Sequence, residues 1–200
     1  MNEKYNYALK LAMEAHATQY RKGTNNKLGI SVPYITHPIA VSALVVRYDG
    51  NEDQVIAALL HDVLEDGNPS IDWSGRILSE FGPKVLEIVE GCTDGKPQTT
   101  TGQKEDWRIR KERYLSHLKS TDEKVLLVSA CDKLHNLQAI YLDLNELGLS
   151  VFERFSAKRD DVLWYYKSLS DIFKQRGVVP AQAIAIECQA IEDKLKKLSP

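Results

Sequence analysis

His61 and Asp62 stand side by side in LLHDVLEDG, and Glu65 and Asp66 follow four residues after each, so both pairs lie one turn apart on neighbouring strips of one helical surface. The run before them, Val55 to Leu60, is wholly apolar, which places these charges where desolvation is costly without a partner. A cation would be such a partner. A plainer alternative is a solvated helix end with His61 as its hydrogen-bonded border. Two distant residues bear on the choice: His37 in YITHP and Asp132 in SACDKLHNL. Asp132 follows the apolar run Val125 to Val128 and precedes Leu134 and Leu137, so its helix faces a core and its carboxylate needs pairing. Two imidazoles and two carboxylates from three helices would form a mixed nitrogen and oxygen site, which suits manganese, iron or zinc. Spacing alone leaves open whether they converge.

The elements that must position these groups read as helices. Tyr5, Ala8, Leu9, Ala12, Ala15 and His16 recur at three- and four-residue spacing, predicting a first helix that ends near Gly23. Residues 23–33, GTNNKLGISVP, have no period and predict a long surface loop. Thr36-His37-Pro38 opens a second helix, with proline in the first turn and His37 at its beginning. Asn51 followed by Glu52, Asp53 and Gln54 predicts a capped start for a third helix, which VIAALLHDVLED carries unbroken to Gly67. Short helices over 77–81 and 83–89, a polar loop over 91–102 and a charged helix over 105–118 follow. Thr121 is the predicted cap of a long helix ending at Gly148, and helices over 157–175 and 181–198 complete the chain. No segment sustains period-2 alternation between hairpin turns. The prediction is one all-α domain over residues 1–200, a bundle of roughly eight to ten helices.

Composition narrows the function classes. In 200 residues, 26 Lys+Arg face 28 Asp+Glu for a net charge of -2, so no global basic field exists to hold nucleic acid or an anionic membrane. An anionic ligand must be held by local charges. Cys92, Cys131 and Cys188 form no C-x-x-C pair, which argues against a disulfide framework or a structural zinc site and fits a reducing, cytoplasmic setting. The first residues have no uninterrupted apolar stretch, and no run approaches a bilayer span, so neither export nor membrane anchoring is expected. The oligomeric state is not specified by any pattern.

YITHP around His37, LLHDVLEDG around His61 and Asp62, and CDKLHN around Asp132 resemble the metal-binding signatures of the HD-domain hydrolases. The arrangement is most similar to the Rel/SpoT-type alarmone hydrolases, including the small alarmone hydrolases, from the first helix to about Gly177. The resemblance implies an HD-domain bundle and one manganese ion held by His37, His61, Asp62 and Asp132, with iron, cobalt or zinc as substitutes. It implies hydrolysis of guanosine tetra- or pentaphosphate to pyrophosphate and GDP or GTP. Glu65 and Asp66 match the family's acidic pair and would orient the water and move protons. The alternatives are an HD phosphohydrolase of another nucleotide, such as an adenine alarmone or a 2′- or 3′-phosphorylated dinucleotide cofactor, and a non-catalytic nucleotide-sensing module.

The implied substrate is strongly anionic. Arg21 and Lys22 match the family's basic pair, the Arg plane meeting the base and the Lys aiding binding, and Tyr34 and Asn136 match positions that touch the nucleoside. Lys96, Arg110 and Lys111, with Lys104, Arg108 and Arg113, form a second basic group that either clamps a pyrophosphate or is a solvated helix face balanced by Glu105, Asp106 and Glu112. Trp107 and Tyr114 read as packing residues. His16 continues an apolar stripe, His117 has no evident partner, and His135 is expected to turn away from the site. Three features depart from the family: Gly67 stands where a Thr is usual, LQAI follows DKLHN where an Arg and a Thr are usual, and the segment between Lys22 and Tyr34 is longer. The length remaining after the motifs predicts a hydrolase without an accompanying synthetase domain.

Overall fold

The computed structural model describes residues 2–25, 30–94 and 105–198. Among these the order is α1 (Asn2–Ala15), β1 (Tyr20–Asn25), β2 (Ser31–Pro33), α2 (Thr36–Arg47), α3 (Glu52–Leu60), α4 (Val63–Asp66), α5 (Trp73–Phe81), α6 (Pro83–Cys92), α7 (Trp107–Leu118), α8 (Glu123–Leu147), a 3-10 turn (Gly148–Arg154), α9 (Arg159–Gln175) and α10 (Ala181–Leu198). The helical reading holds, with one addition. The predicted loop over 23–33 carries strand at both of its described ends, where β1 pairs antiparallel with β2, Tyr20 opposite Pro33 and Asn25 opposite Ser31, while residues 26–29 lie outside the described residues. The first helix accordingly stops at Ala15, eight residues before Gly23, because the chain from Tyr20 is drawn into an irregular hairpin with Ser31–Pro33. None of the helices is long and apolar enough to cross a membrane, among the described residues.

α3 shows how the chain builds its centre. Asn51 accepts a hydrogen bond from the Gln54 backbone N–H at 3.1 Å, and the Gln54 side chain accepts from the Asn51 N–H at 2.9 Å, a reciprocal cap at the predicted position. Gln54 Nε2 then donates to the Lys124 carbonyl at 3.2 Å and pins the start of α3 to the start of α8. Val55 to Leu60 are all buried, as a helix packed on every side must be. The continuous helix expected from VIAALLHDVLED is broken after Leu60, and α4 restarts at Val63. Asp62 lies at φ -98°, ψ -4°, the sparsely populated bridge region.

α8, 25 residues and about 37 Å long, divides two apolar clusters. Val125, Val128 and Cys131 face a cluster built on α1, α2, α3, α5 and α6. Leu126, Ala130, Leu134, Leu137, Ile140 and Leu144 face a second built on α7, α9 and α10. Asp122, not Thr121, caps α8, its carboxylate accepting from the Lys124 N–H at 2.8 Å, since the free carboxylate sits one residue nearer the first turn. α6 runs through Cys92, past the predicted loop start at residue 91. Thr93 and Asp94 follow it, and residues 95–104, with Lys96 and Lys104, lie outside the described residues.

Candidate metal centre

The donors sit on the seam between the two clusters. α2 supplies His37 in its first turn, the break between α3 and α4 supplies His61 and Asp62, and the middle of α8 supplies Asp132. On an unbroken helix, neighbours such as His61 and Asp62 would diverge by about 100°. The turn between α3 and α4 lets both reach one point. Ligand atoms of His37, His61 and Asp132 lie within 4.8 Å of one another. His37 Nε2 is 3.1 Å from Asp132 Oδ1, and Asp62 Oδ2 is 3.0 Å from His61 Nε2 and 3.7 Å from His37 Nε2. The four side chains that the sequence singled out therefore meet.

The donor set fits a divalent cation. His61 Nδ1 is tied to the Ala58 carbonyl at 2.8 Å, which leaves Nε2 to the site. That nitrogen is buried and makes no hydrogen bond, although Asp62 lies close by. Burial works against charge on both imidazoles, and it lowers the pKa of His37 in spite of Asp132 beside it. At His61 the two carboxylates outweigh burial and raise the pKa well above the ordinary value. Burial likewise opposes ionisation of Asp62 and Asp132, yet the imidazoles hold Asp62, and Lys133 with the imidazoles holds Asp132, below the usual carboxylate range. The two carboxylates thus hold a proton on a buried imidazole, and a metal cation can take the place of that proton.

The carboxylates are held from behind. Tyr34 donates to Asp62 Oδ2 at 2.5 Å, Asn136 Nδ2 donates to Asp132 Oδ1 at 2.6 Å, and Lys133 Nζ donates to Asp132 Oδ2 at 2.5 Å. Tyr34, which the resemblance places at the nucleoside, lines both cavities; its hydroxyl serves Asp62, and its ring lies beside those of His16 and His37 at centroid distances of 4.8 and 5.8 Å. Asn136 also accepts from Arg21 Nη2 at 2.9 Å and so joins the cluster to the basic pair on β1.

A cavity of about 170 Å³ lies over the cluster, and beside it opens a larger one of about 500 Å³. Arg21, Tyr34, Glu65, Asp66, Lys111 and Asn136 line both. Lys22 and Arg110 line the larger one. The predicted acidic pair therefore shares these adjoining cavities with Arg21, Lys22, Arg110 and Lys111, whereas Arg108 pairs with Glu112 and Asp161 and Arg113 with Glu105, as the solvated-face alternative has it; Lys96 lies outside the described residues. Trp107 packs edge-on against Tyr165 at 5.8 Å, as predicted, and also walls the cavity. Tyr114 is buried and hydrogen-bonded to Ser129.

The sequence reading missed several participants. His135 does not turn away: its Nδ1 is 2.7 Å from His37 Nδ1. The signal was present, because residues three apart on a helix, such as Asp132 and His135, share a face. Burial and the neighbouring His37 and Arg21 lower the His135 pKa to about 4. Asp94 binds both Arg110, at 2.8 Å, and Lys111. Arg154, held by Asp143, and Phe155 and Tyr166 complete the cavity wall. No motif marks these four. His16 is buried and meets Gln19 at 2.7 Å, and His117 meets the Gly91 carbonyl at 3.2 Å.

A family model described as HD domain matches residues 8–163. The chain belongs to the HD-domain family. This HD domain is similar in sequence to proteins named guanosine-3′,5′-bis(diphosphate) 3′-pyrophosphohydrolase. The Haemophilus influenzae protein is 32% identical over 131 residues, which are 65% of this chain and 18% of that protein. The Borreliella burgdorferi protein is 33% identical over 142 residues, 69% of this chain and 19% of that one. The HD domain thus spans under a fifth of the length of these curated relatives. Its fold is similar to a solved structure described as a metazoan ortholog of SpoT that hydrolyzes ppGpp, with a TM-score of 0.61, 24% identity, and coverage of 98% of this chain and 93% of that one. A protein from Listeria monocytogenes EGD-e has a TM-score of 0.63 at 23% identity, over 80% of this chain and 99% of that one. At these identities the likeness is one of fold.

Proposed function

We propose that this HD domain hydrolyses guanosine 3′,5′-bis(diphosphate), releasing pyrophosphate from the 3′ position and leaving GDP, or GTP from the pentaphosphate. The observation that carries the reading is the union of a His/His/Asp/Asp cluster with a cationic, aromatic-walled cavity large enough for a nucleotide. The activity for which the relatives are named supports the same substrate.

In this reading His37, His61, Asp62 and Asp132 hold one manganese ion, a choice that mixed nitrogen and oxygen donors without thiolate favour. When bound, such an ion acidifies water and polarises a phosphoryl oxygen. Glu65 and Asp66 orient the attacking water and accept its proton, both standing where the cluster's cavity meets the larger one. The water oxygen bonds to the phosphorus next to the ribose, the bond from phosphorus to the 3′ oxygen breaks, and that oxygen takes a proton. Arg110 and Lys111 neutralise the departing pyrophosphate. Arg21, whose guanidinium lies 5.7 Å from the Tyr34 ring centroid, offers a flat face to the base, and Lys22 and Asn136 bind the nucleoside.

The test is release of pyrophosphate from guanosine tetraphosphate by the manganese-loaded protein, beside a panel of adenine alarmones and 2′- and 3′-phosphorylated dinucleotides. Pyrophosphate and GDP in equal amounts support the proposal. Turnover of another nucleotide alone, or binding without turnover that Glu65→Gln leaves unchanged, overturns it.

A further inference from the structure

His37 presents two ring nitrogens to two different neighbours. Nε2 faces the carboxylates, 3.1 Å from Asp132 Oδ1 and 3.7 Å from Asp62 Oδ2. Nδ1 lies 2.7 Å from Nδ1 of His135, with the ring centroids 4.8 Å apart. Two imidazole nitrogens at that separation share one proton: with none, two lone pairs repel, and with two, the hydrogens collide. A lone pair on His37 Nε2 is what a cation needs, and a neutral ring with that lone pair carries its proton on Nδ1. That proton has His135 Nδ1 as its acceptor, so His135 carries its own proton on Nε2.

Resting on the reading of His37 as a metal ligand, we infer that His135 is a positioning residue whose Nδ1 accepts the His37 Nδ1 proton and thereby fixes the tautomer and ring orientation that aim His37 Nε2 at the cation. The usual partner behind a metal-bound imidazole is a carboxylate or a carbonyl. His61 has a carbonyl, that of Ala58. With His135 behind His37, both imidazoles are backed by neutral acceptors, while Tyr34, Asn136 and Lys133 all donate toward the two carboxylates. None of these five braces brings a negative charge, so a cation held here would keep its power to withdraw electrons from water. Because α8 carries both Asp132 and His135, one rigid helix delivers a ligand and the brace of a ligand on α2.

Zinc, being diamagnetic, is the probe. Imidazole ¹⁵N spectra of the zinc-loaded protein should show an N–H at His37 Nδ1 with scalar coupling across the hydrogen bond to His135 Nδ1. Chelator competition should show zinc binding weakened about 10- to 100-fold in His135→Ala. His135→Asn, whose Oδ1 falls near the position of Nδ1, should restore binding to near wild type. An amide ¹H–¹⁵N spectrum establishes that each variant is folded. A proton on His37 Nε2, or equal zinc affinity in wild type and His135→Ala, overturns the inference while leaving the metal site in place. If wild type and His37→Ala bind zinc equally, or neither binds, both the inference and the metal reading fail.

Discussion

The Tyr34 hydroxyl donates to Asp62 Oδ2 at 2.5 Å, tying the segment ahead of α2 to the break between α3 and α4. Burial, then the charge of Asp62, raises the pKa of the phenol, so Tyr34 is a permanent donor. Removing it in Tyr34→Phe leaves Asp62 unbraced. The expected result is a fall in kcat of about 10-fold or more with KM little changed. A rise in KM at constant kcat would assign Tyr34 to the nucleoside instead.

Asp94 is the counter-charge for the basic pair on α7. Its side chain is 6% exposed and binds Arg110 and Lys111 together. Burial disfavours its ionisation, but the two cations more than compensate and hold the carboxyl below its ordinary 3.8. A depressed folded value means that the stabilisation is present above that ordinary value and is lost as pH falls through the folded one. Asp94→Asn should cost about 3 kcal/mol near neutral pH, since it strands two half-buried cations. Urea titrations should find the gap between variant and wild type narrowing below about pH 4.

The helices and the four donors were legible because each leaves a local mark: a cap at Asn51, proline after His37, an apolar run before His61 and another before Asp132. The break after Leu60 leaves none. VIAALLHDVLED keeps helical period through the turn, and only the demand that His61 and Asp62 reach one point favours the bridge conformation of Asp62. The hairpin of Tyr20–Asn25 with Ser31–Pro33 is too short to show alternation. Asp94, Arg154 and Tyr166 enter the cavity from segments whose placement depends on packing across α8, which no local pattern encodes.

Gly67, where the resembling family carries Thr, is held to glycine by its surroundings. A Cβ there would lie 2.5 Å from the Val63 carbonyl oxygen and 2.6 Å from Trp73 Nε1. Both atoms are engaged: Val63 O accepts from the Gly67 N–H at 3.0 Å, and Trp73 Nε1 donates to the Asn68 carbonyl at 3.0 Å. Neither can yield without breaking a hydrogen bond. Gly67→Ala should destabilise the protein by about 1–3 kcal/mol, seen as a lower urea midpoint at unchanged m-value.

Removing the metal should lower stability without unfolding the bundle, because the two apolar clusters do not depend on the ion. With metal at about 100 times its Kd the loss is about 2.7 kcal/mol, or roughly 5–10 °C in Tm for a domain of this size. Chelated protein should keep its far-ultraviolet circular dichroism and regain its Tm when manganese returns. The size of the drop should depend on pH. In the metal-free protein burial opposes a charged His61, but Asp62 and Asp132 prevail and raise its pKa well above 6.5. A raised folded value gives stabilisation that is fully present below pH 6.5 and lost as pH climbs through the folded value, so a proton on His61 partly replaces the cation at low pH. Metal also competes better against protons at high pH. Both effects act in one direction: the chelator-induced fall in Tm should be larger at pH 8.5 than at pH 6, and should vanish in His61→Ala. A fall that is equal at the two pH values would place the lost cation away from His61.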